Sequence, residues 1–419
     1  MNPIKYETKD IESYYIDIKK MYPKPYNKNT TDPYTKTRVI LLNGTEFESV
    51  WFMHQFARHC DNDEILAALA TVRKQEQQQQ KRISCLKPIN ESILETTIAY
   101  EQLAVDLTAC LAKYETDANN KNALDFALLE DFDHLYRFSN LLLMDKGMDA
   151  KKLVGSYTEI FPGRPTIAEH RHPTQEARHH MNAKKAKLYS KLVASIITAA
   201  EQQTMNYYMK IAQWYKNDLG RKLYAEIAMI EEQHVSQYEA LKDPNMTWLE
   251  QWVMHEYTEC YLYYSAMQTE LDQRLKAIWT EHFEMECEHL KIAVKMLEKF
   301  ERKTFKDVCG NGEFPEILDL GSNKEYVRNV VSKTINNTAV NKTYVDVAKL
   351  PPNNVFEKYQ DKFIIEEQTP SHKVIERSIT KFGKDYRYED KPHPIKQLQN
   401  RKCDNTCVAR KCKNDTNKK

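Results

Sequence analysis

Carboxylates and histidines at metal-ligand spacing recur through this chain. Two Glu-x-x-His pairs, Glu231/His234 and Glu286/His289, lie 55 residues apart. Positions i and i+3 share a helix face, so each pair aims one carboxylate and one imidazole at the same point. Glu201 and Glu256 each offer one further carboxylate. Four carboxylates and two imidazoles suit two metal ions, with some carboxylates bridging.

The pattern is duplicated. An offset of 155 residues lays Glu46 on Glu201, Glu76 on Glu231, Glu101 on Glu256, Asp131 on Glu286 and His134 on His289, with no gap. The same register lays Asn62-Asp63 on Asn217-Asp218, Leu94-Glu95 on Leu249-Glu250, and Glu115 on Glu270. A repeat at fixed offset marks a repeated structural unit. The first copy is the weaker set: Gln79 stands where the second has His234, and Asp131 is one methylene shorter than Glu286. An amide is a poor transition-metal ligand. Glu46, Glu76, Glu101, Asp131 and His134 therefore make a second, poorer site or a purely structural bundle.

Helices must place these residues. Each acid interrupts an apolar stripe at helical spacing: Ile197, Glu201, Met205, Tyr208; Ile227, Glu231, His234, Tyr238; Trp252, Glu256, Cys260, Tyr263; Phe283, Glu286, His289, Ala293. Carboxylates brought together in an apolar core must be paired, protonated or metal-bound. In an antiparallel helix pair, residues at one height are equidistant from the turn. The midpoints of neighbouring ligand positions fall on breakers, at Cys60–Asp63, Pro88, Thr116-Asp117, Lys216–Gly220 and Asp243-Pro244-Asn245. Only the midpoint near Leu271 lacks one. Each copy thus reads as four helices with its candidate ligands at one level.

The bounds along the chain are an arm (1–40), a first, degenerate four-helix bundle (41–140), a linker (141–185), a second bundle carrying the metal site (186–304), and a C-terminal extension (305–419). The extension is mixed, with strand-like Tyr344-Val345-Asp346-Val347 and a basic tail over 391–419. With 61 Lys+Arg against 60 Asp+Glu, no global field draws the chain to nucleic acid. The most apolar run, 192–200, is too short for a membrane span. The polar N-terminus and nine scattered cysteines lead us to expect reduced thiols in a cytoplasmic setting. A homo-oligomer is compatible with all of this.

The residue pattern resembles the ferritin-like di-iron carboxylate superfamily, ferritins and rubrerythrins included. Those bundles take one Glu from each of two helices and Glu-x-x-His from each of the other two. The resemblance covers 186–304 well and 41–140 weakly. It implies an all-α fold of two tandem ferritin-like bundles. It also implies two iron ions (or a Mn/Fe pair) held by Glu201, Glu231, His234, Glu256, Glu286 and His289, with Glu259 as an extra carboxylate. The chemistry implied is reaction of reduced iron with O2 or peroxide, of ferroxidase, peroxidase or oxidase type. The alternative is a non-enzymatic iron-binding or structural assembly. Only 25 residues separate Glu231 from Glu256, where the family has a long crossover. That spacing leaves two connectivities: up-down-up-down within each copy, or hairpins exchanged between copies, with the 67 residues between His134 and Glu201 as the crossover.

Three other features carry weaker signals. His170, His172, His179 and His180 lie among Arg171 and Arg178 in the linker and read as a surface loop more readily than as a lid or metal entry. Tyr207, Tyr208, Tyr257, Tyr261, Tyr263 and Tyr264 surround the ligand positions, either as redox relays or as ordinary packing. Cys403, Cys407 and Cys412 are irregularly spaced, a faint zinc signal.

Overall fold

A computed structural model describes residues 1–364, 368–383, 395, 398 and 408–410. Cys403, Cys407, Cys412 and most of the basic tail lie outside the described residues. The fold is helical. Four long helices, α1 (Pro33–Arg58), α2 (Asp63–Ser84), α3 (Ile93–Tyr114) and α4 (Ala118–Lys146), are followed by the short α5 (Lys151–Val154) and α6 (Thr166–Glu169). Four more long helices follow: α7 (Leu188–Trp214), α8 (Asp218–Glu239), α9 (Trp248–Thr269) and α10 (Gln273–Glu301). Then come α11 (Phe305–Cys309), α12 (Lys324–Thr334), an antiparallel hairpin of β1 (Asn337–Val340) and β2 (Thr343–Asp346), α13 (Val355–Phe363) and α14 (Pro370–Phe382). Among the described residues no helix is long and apolar enough to cross a membrane.

The duplication is written into the helix boundaries. Starts at residues 33, 63, 93 and 118 recur at 188, 218, 248 and 273, the offset read from the ligands. The caps recur too. Asn62 and Asn217 begin α2 and α8 by accepting backbone N–H bonds. Ser92/Glu95 and Thr247/Glu250 close capping boxes on α3 and α9. Such caps satisfy the orphan donors of a first helical turn. The turn near Leu271 is made by side chains: Glu270 accepts from the amides of Leu271 and Asp272 at 2.9 and 3.0 Å, as Glu115 does from Thr116 and Asp117. Asp272 then caps α10. A carboxylate does there what a breaker residue does elsewhere. α1 begins eight residues before position 41, because Asp32 caps it and Pro33 fits its first turn.

The chain divides into two compact units, and neither is one contiguous copy. The first contains residues 1–91, 180–203 and 241–320; the second contains 92–179, 204–240 and 321–419. In the first unit, α1 packs on α2 and α9, and α10 packs on α9 and α2. In the second, α4 packs on α3 and α8, and α12 and α14 pack on α4. The boundary in α7 falls after Gln203. Each unit therefore takes helices from both copies, and the boundaries 41–140 and 186–304 are not those of the compact units. The segment 147–187, with α5 and α6, joins α4 to α7.

The flanking segments are integral parts of the units. In the first, the Gln75 side-chain amide donates to the Ile11 carbonyl at 2.6 Å, and the Ile16 amide donates to Gln78 at 2.9 Å. In the second, Ser371 donates to Glu226 from both its amide and its hydroxyl at 2.8 Å, and the Gln360 amide donates to the carbonyls of Ile167 and His170. The strand-like stretch at 344–347 is β2, one residue earlier, turning through Asn341 and Lys342 at φ 49° and 67°.

The linker runs tightly against α4 at Gly163. The neighbouring Arg164 amide donates to the Leu129 carbonyl at 3.1 Å, and a Cβ on residue 163 would sit 2.1 Å from that carbonyl oxygen. Gly163→Ala should therefore destabilise the chain by about 1–3 kcal/mol, the usual cost of overpacking. Denaturant unfolding of the two proteins measures it.

Candidate metal centres

In the first unit, α1 contributes Glu46, α2 contributes Glu76 and Gln79, α9 contributes Glu256 and Glu259, and α10 contributes Glu286 and His289. All seven side chains are fully buried. Glu76, Glu256, Glu286 and His289 each place one ligand atom within 4.8 Å of the others, and so do Glu46, Glu76 and Glu259. Glu76 belongs to both groups. His289 Nδ1 lies 2.9 Å from Glu76, 3.1 Å from Glu286 and 3.8 Å from Glu256.

The outer contacts fix orientation. Because the Gln75 amide nitrogen faces the Ile11 carbonyl, its oxygen faces His289 Nε2 at 2.8 Å. His289 then carries a proton on Nε2 and turns Nδ1 to the carboxylates, the usual arrangement of a metal-ligating histidine with an outer hydrogen-bond partner. The Trp252 indole donates to Glu256 at 2.5 Å, and the Tyr263 hydroxyl donates to Glu46. The Gln79 amide nitrogen donates to Glu286 at 2.5 Å. Both oxygens of Glu259, one of Glu46 and the amide oxygen of Gln79 are buried without a hydrogen-bond partner.

In the second unit, α3 contributes Glu101, α4 contributes Asp131 and His134, and α8 contributes Glu231 and His234. Glu101, His134 and Glu231 form one compact group, and Asp131, Glu231 and His234 another, again sharing a carboxylate. His134 Nδ1 meets Glu231 at 3.0 Å, while its Nε2 meets Glu169 of α6 at 3.0 Å. His234 Nδ1 lies 3.1 Å from Glu231 and 3.2 Å from Asp131, while its Nε2 meets Glu130 at 2.9 Å. Each imidazole thus turns one nitrogen to the carboxylate group and the other to an outer carboxylate. Glu130 is held in turn by Arg164 at 2.7 Å and Arg171 at 2.5 Å. Tyr208 of α7 donates to Glu101.

Burial raises the affinity of these acids for protons, and repulsion between carboxylates adds to it. Glu46, Glu256 and Glu259 are pushed well above the usual carboxylate range, and Glu286 to about 7. Glu101 is also raised, by burial. Against the opposing effect of burial, the acids around His289 and His134 hold both imidazoles protonated well above the ordinary value. Glu231 goes the other way: burial opposes it, but the imidazoles of His134 and His234 bring it down to about 2. Glu169 is raised to about 8 by burial.

The six residues aligned in the second copy do not gather at one point. Glu256, Glu286 and His289 meet Glu76, whereas Glu231 and His234 meet Asp131. Glu46 and Glu76 likewise stand in the first unit, and Glu101, Asp131 and His134 in the second. Glu201 is buried on α7, in the stretch counted with the first unit. The cause is the division of helices between the units. Each group draws its residues from both sequence copies, so neither copy owns a site.

Sequence reading missed Gln75, Glu130, Arg164 and Glu169. The arginine- and histidine-rich linker, taken as a surface loop, buries His170, Arg171 and Arg178 and leaves His179 and His180 exposed. Six basic side chains within residues 170–180, between acid-bearing helices, were the available signal. Of the six tyrosines, Tyr208 and Tyr263 reach carboxylates; Tyr207, Tyr257 and Tyr261 donate to backbone carbonyls, and Tyr264 packs on Phe283 and Phe314.

Compared with protein-family models, curated proteins and solved structures, the chain matches none.

The protonation pattern predicts an inverted pH dependence for the metal-free protein. A carboxylate raised from 4.5 to about 7, as Glu286 is, stabilises the fold below 4.5 and loses that contribution as pH rises through 7. The raised histidines act with the same sign. Unfolding free energy of chelator-treated protein should fall between pH 5 and 7.5 and recover when a divalent cation is added. A flat profile, unchanged by metal, would contradict this.

Proposed function

We propose that the chain binds metal at two dinuclear carboxylate–histidine centres, one in each unit, and uses iron there for redox chemistry with O2 or peroxide. The observation that carries this is the burial of a carboxylate group in each unit, with histidine Nδ1 atoms turned into it and Nε2 atoms held by outer acceptors. Leaving such charge uncompensated in a core costs several kcal/mol or more. Divalent cations relieve that cost, and the donor set of carboxylate and imidazole suits iron, manganese or zinc.

The ligands assigned to the first centre are Glu46, Glu76, Glu256, Glu259, Glu286 and His289. Those assigned to the second are Glu101, Asp131, His134, Glu231 and His234. The ferritin-like resemblance supports iron as the resident ion, because that superfamily uses this set of residue types. Iron, when bound, supplies one-electron exchange with the oxidant.

The chain's own residues hold, orient and shield. Glu76 and Glu231 belong to both groups of their unit and would be shared by the two ions held there. Gln75, Glu130 and Glu169 fix the imidazole tautomers. The protons that metal displaces from His134, His289 and the raised carboxylates leave on binding. Apolar neighbours such as Ile227, Trp252 and Phe283 are buried with the ligands and limit water. A reducing cytoplasm fits Cys60, Cys85, Cys260, Cys287 and Cys309, which are thiols and not disulfides.

Elemental analysis of protein from iron-supplemented cells tests the binding. We expect about two ions at each centre. Glu286→Ala should remove metal from the first centre and Glu231→Ala from the second, each variant keeping about half the total. Oxidant consumption by the iron-loaded protein then separates the enzyme from a store: repeated turnover marks an oxidase or peroxidase, whereas uptake that stops at one equivalent of oxidant per centre marks storage. A folded wild type without metal would overturn the reading.

A further inference from the structure

The two centres differ in donor chemistry. In the second unit each compact group contains an imidazole, His134 in one and His234 in the other. In the first unit only one does. His289 joins Glu76, Glu256 and Glu286, while the other group, Glu46, Glu76 and Glu259, is of carboxylates alone; the His282 Nδ1 lies 4.0 Å from Glu46 but is engaged by the Tyr263 hydroxyl at 3.1 Å. The repeat register explains the difference: residue 79 is glutamine where its counterpart is His234, and position 259 is glutamate where its counterpart is Ala104. One imidazole has been replaced by an amide and one carboxylate has been added.

The Gln79 amide keeps its oxygen free of hydrogen bonds. Its nitrogen donates to Glu286, so its oxygen points elsewhere, fully buried and without a hydrogen-bond partner. Both Glu259 oxygens and one Glu46 oxygen are in the same condition. These oxygens, with both of Glu76 and one of Glu256 in the same core, call for cations, and the group without an imidazole calls for one that prefers oxygen. Carboxylate and carbonyl oxygens suit manganese and magnesium, whereas imidazole suits iron and zinc.

We propose that the first unit's centre is mixed: the position formed by Glu46, Glu76 and Glu259, with the Gln79 oxygen, takes a hard divalent cation of the manganese or magnesium type, and the His289 position takes iron. The second unit's centre, with one imidazole at each position, takes two ions of one kind. This rests on the reading of both groups as dinuclear centres and assigns the ions within it.

Anaerobic dialysis of the full chain against Fe2+ with excess Mn2+, followed by elemental analysis, tests it. Wild type should retain about one manganese per chain beside its iron. Gln79→Glu, which keeps the position all-oxygen, should retain it too. Gln79→His and Glu259→Gln should each lower manganese about tenfold or more. Glu231→Ala, in the second unit, should leave it unchanged. Circular dichroism confirms that each variant folds. Equal manganese in wild type and Gln79→His, with iron bound in both, would overturn this inference and leave the dinuclear reading standing. Manganese lost in Glu231→Ala but not in Glu259→Gln would also overturn it, placing the hard cation in the second unit. No bound metal in a folded wild type would overturn both.

Discussion

Carboxylate charge held in an apolar core is the constraint on which the rest of this structure depends. Glu46, Glu76, Glu256, Glu259 and Glu286 are all fully buried in one unit, and Glu101, Asp131 and Glu231 in the other. An isolated buried carboxylate protonates rather than remain charged. Here the chain surrounds the acids with devices of three kinds. Imidazoles sit between the inner carboxylates and an outer acceptor, Glu169 for His134, Glu130 for His234 and the Gln75 amide for His289. Single donors such as Trp252, Tyr208 and Tyr263 tie one oxygen of one acid each. Arg164 and Arg171 neutralise Glu130, which lets that residue serve as an outer partner for His234. Several oxygens still find no partner, and those are the ones a cation would satisfy.

The outer contacts give the segments beyond the long helices a part in positioning the candidate ligands. The N-terminal arm supplies the Ile11 carbonyl that orients Gln75, and Gln75 orients His289. The linker supplies Glu169, Arg164 and Arg171 to the second unit. The C-terminal segment holds the linker backbone through Gln360 and holds Glu226 of α8 through Ser371. These pieces look peripheral in sequence and act on groups that touch the candidate ligands.

Much of this was legible in the sequence, because helix turns and ligand heights obey simple geometry. The offset relating Glu76 to Glu231 also relates the starts of α2 and α8, and the midpoints of ligand pairs fall on the observed turns. Burial of the acids followed from their place in apolar stripes. The partition of helices did not follow. A four-helix set closes equally well with hairpins from one copy or from two, since duplicated helices present the same faces; periodicity is blind to that choice. The connectivity left open by the short turn between Glu231 and Glu256 is resolved by packing: α2 meets α10, and α4 meets α8. The outer residues were illegible for a related reason. Gln75 sits in a run of glutamines, and nothing in such a run distinguishes the one that faces a histidine.

Anomalous diffraction at the iron edge from crystals of the iron-loaded protein tests the central claim most directly. The account predicts iron density among Glu76, Glu256, Glu286 and His289, and separately among Asp131, Glu231 and His234. A single pair of ions enclosed by Glu201, Glu231, His234, Glu256, Glu286 and His289 would contradict it, as would iron bound only at surface residues.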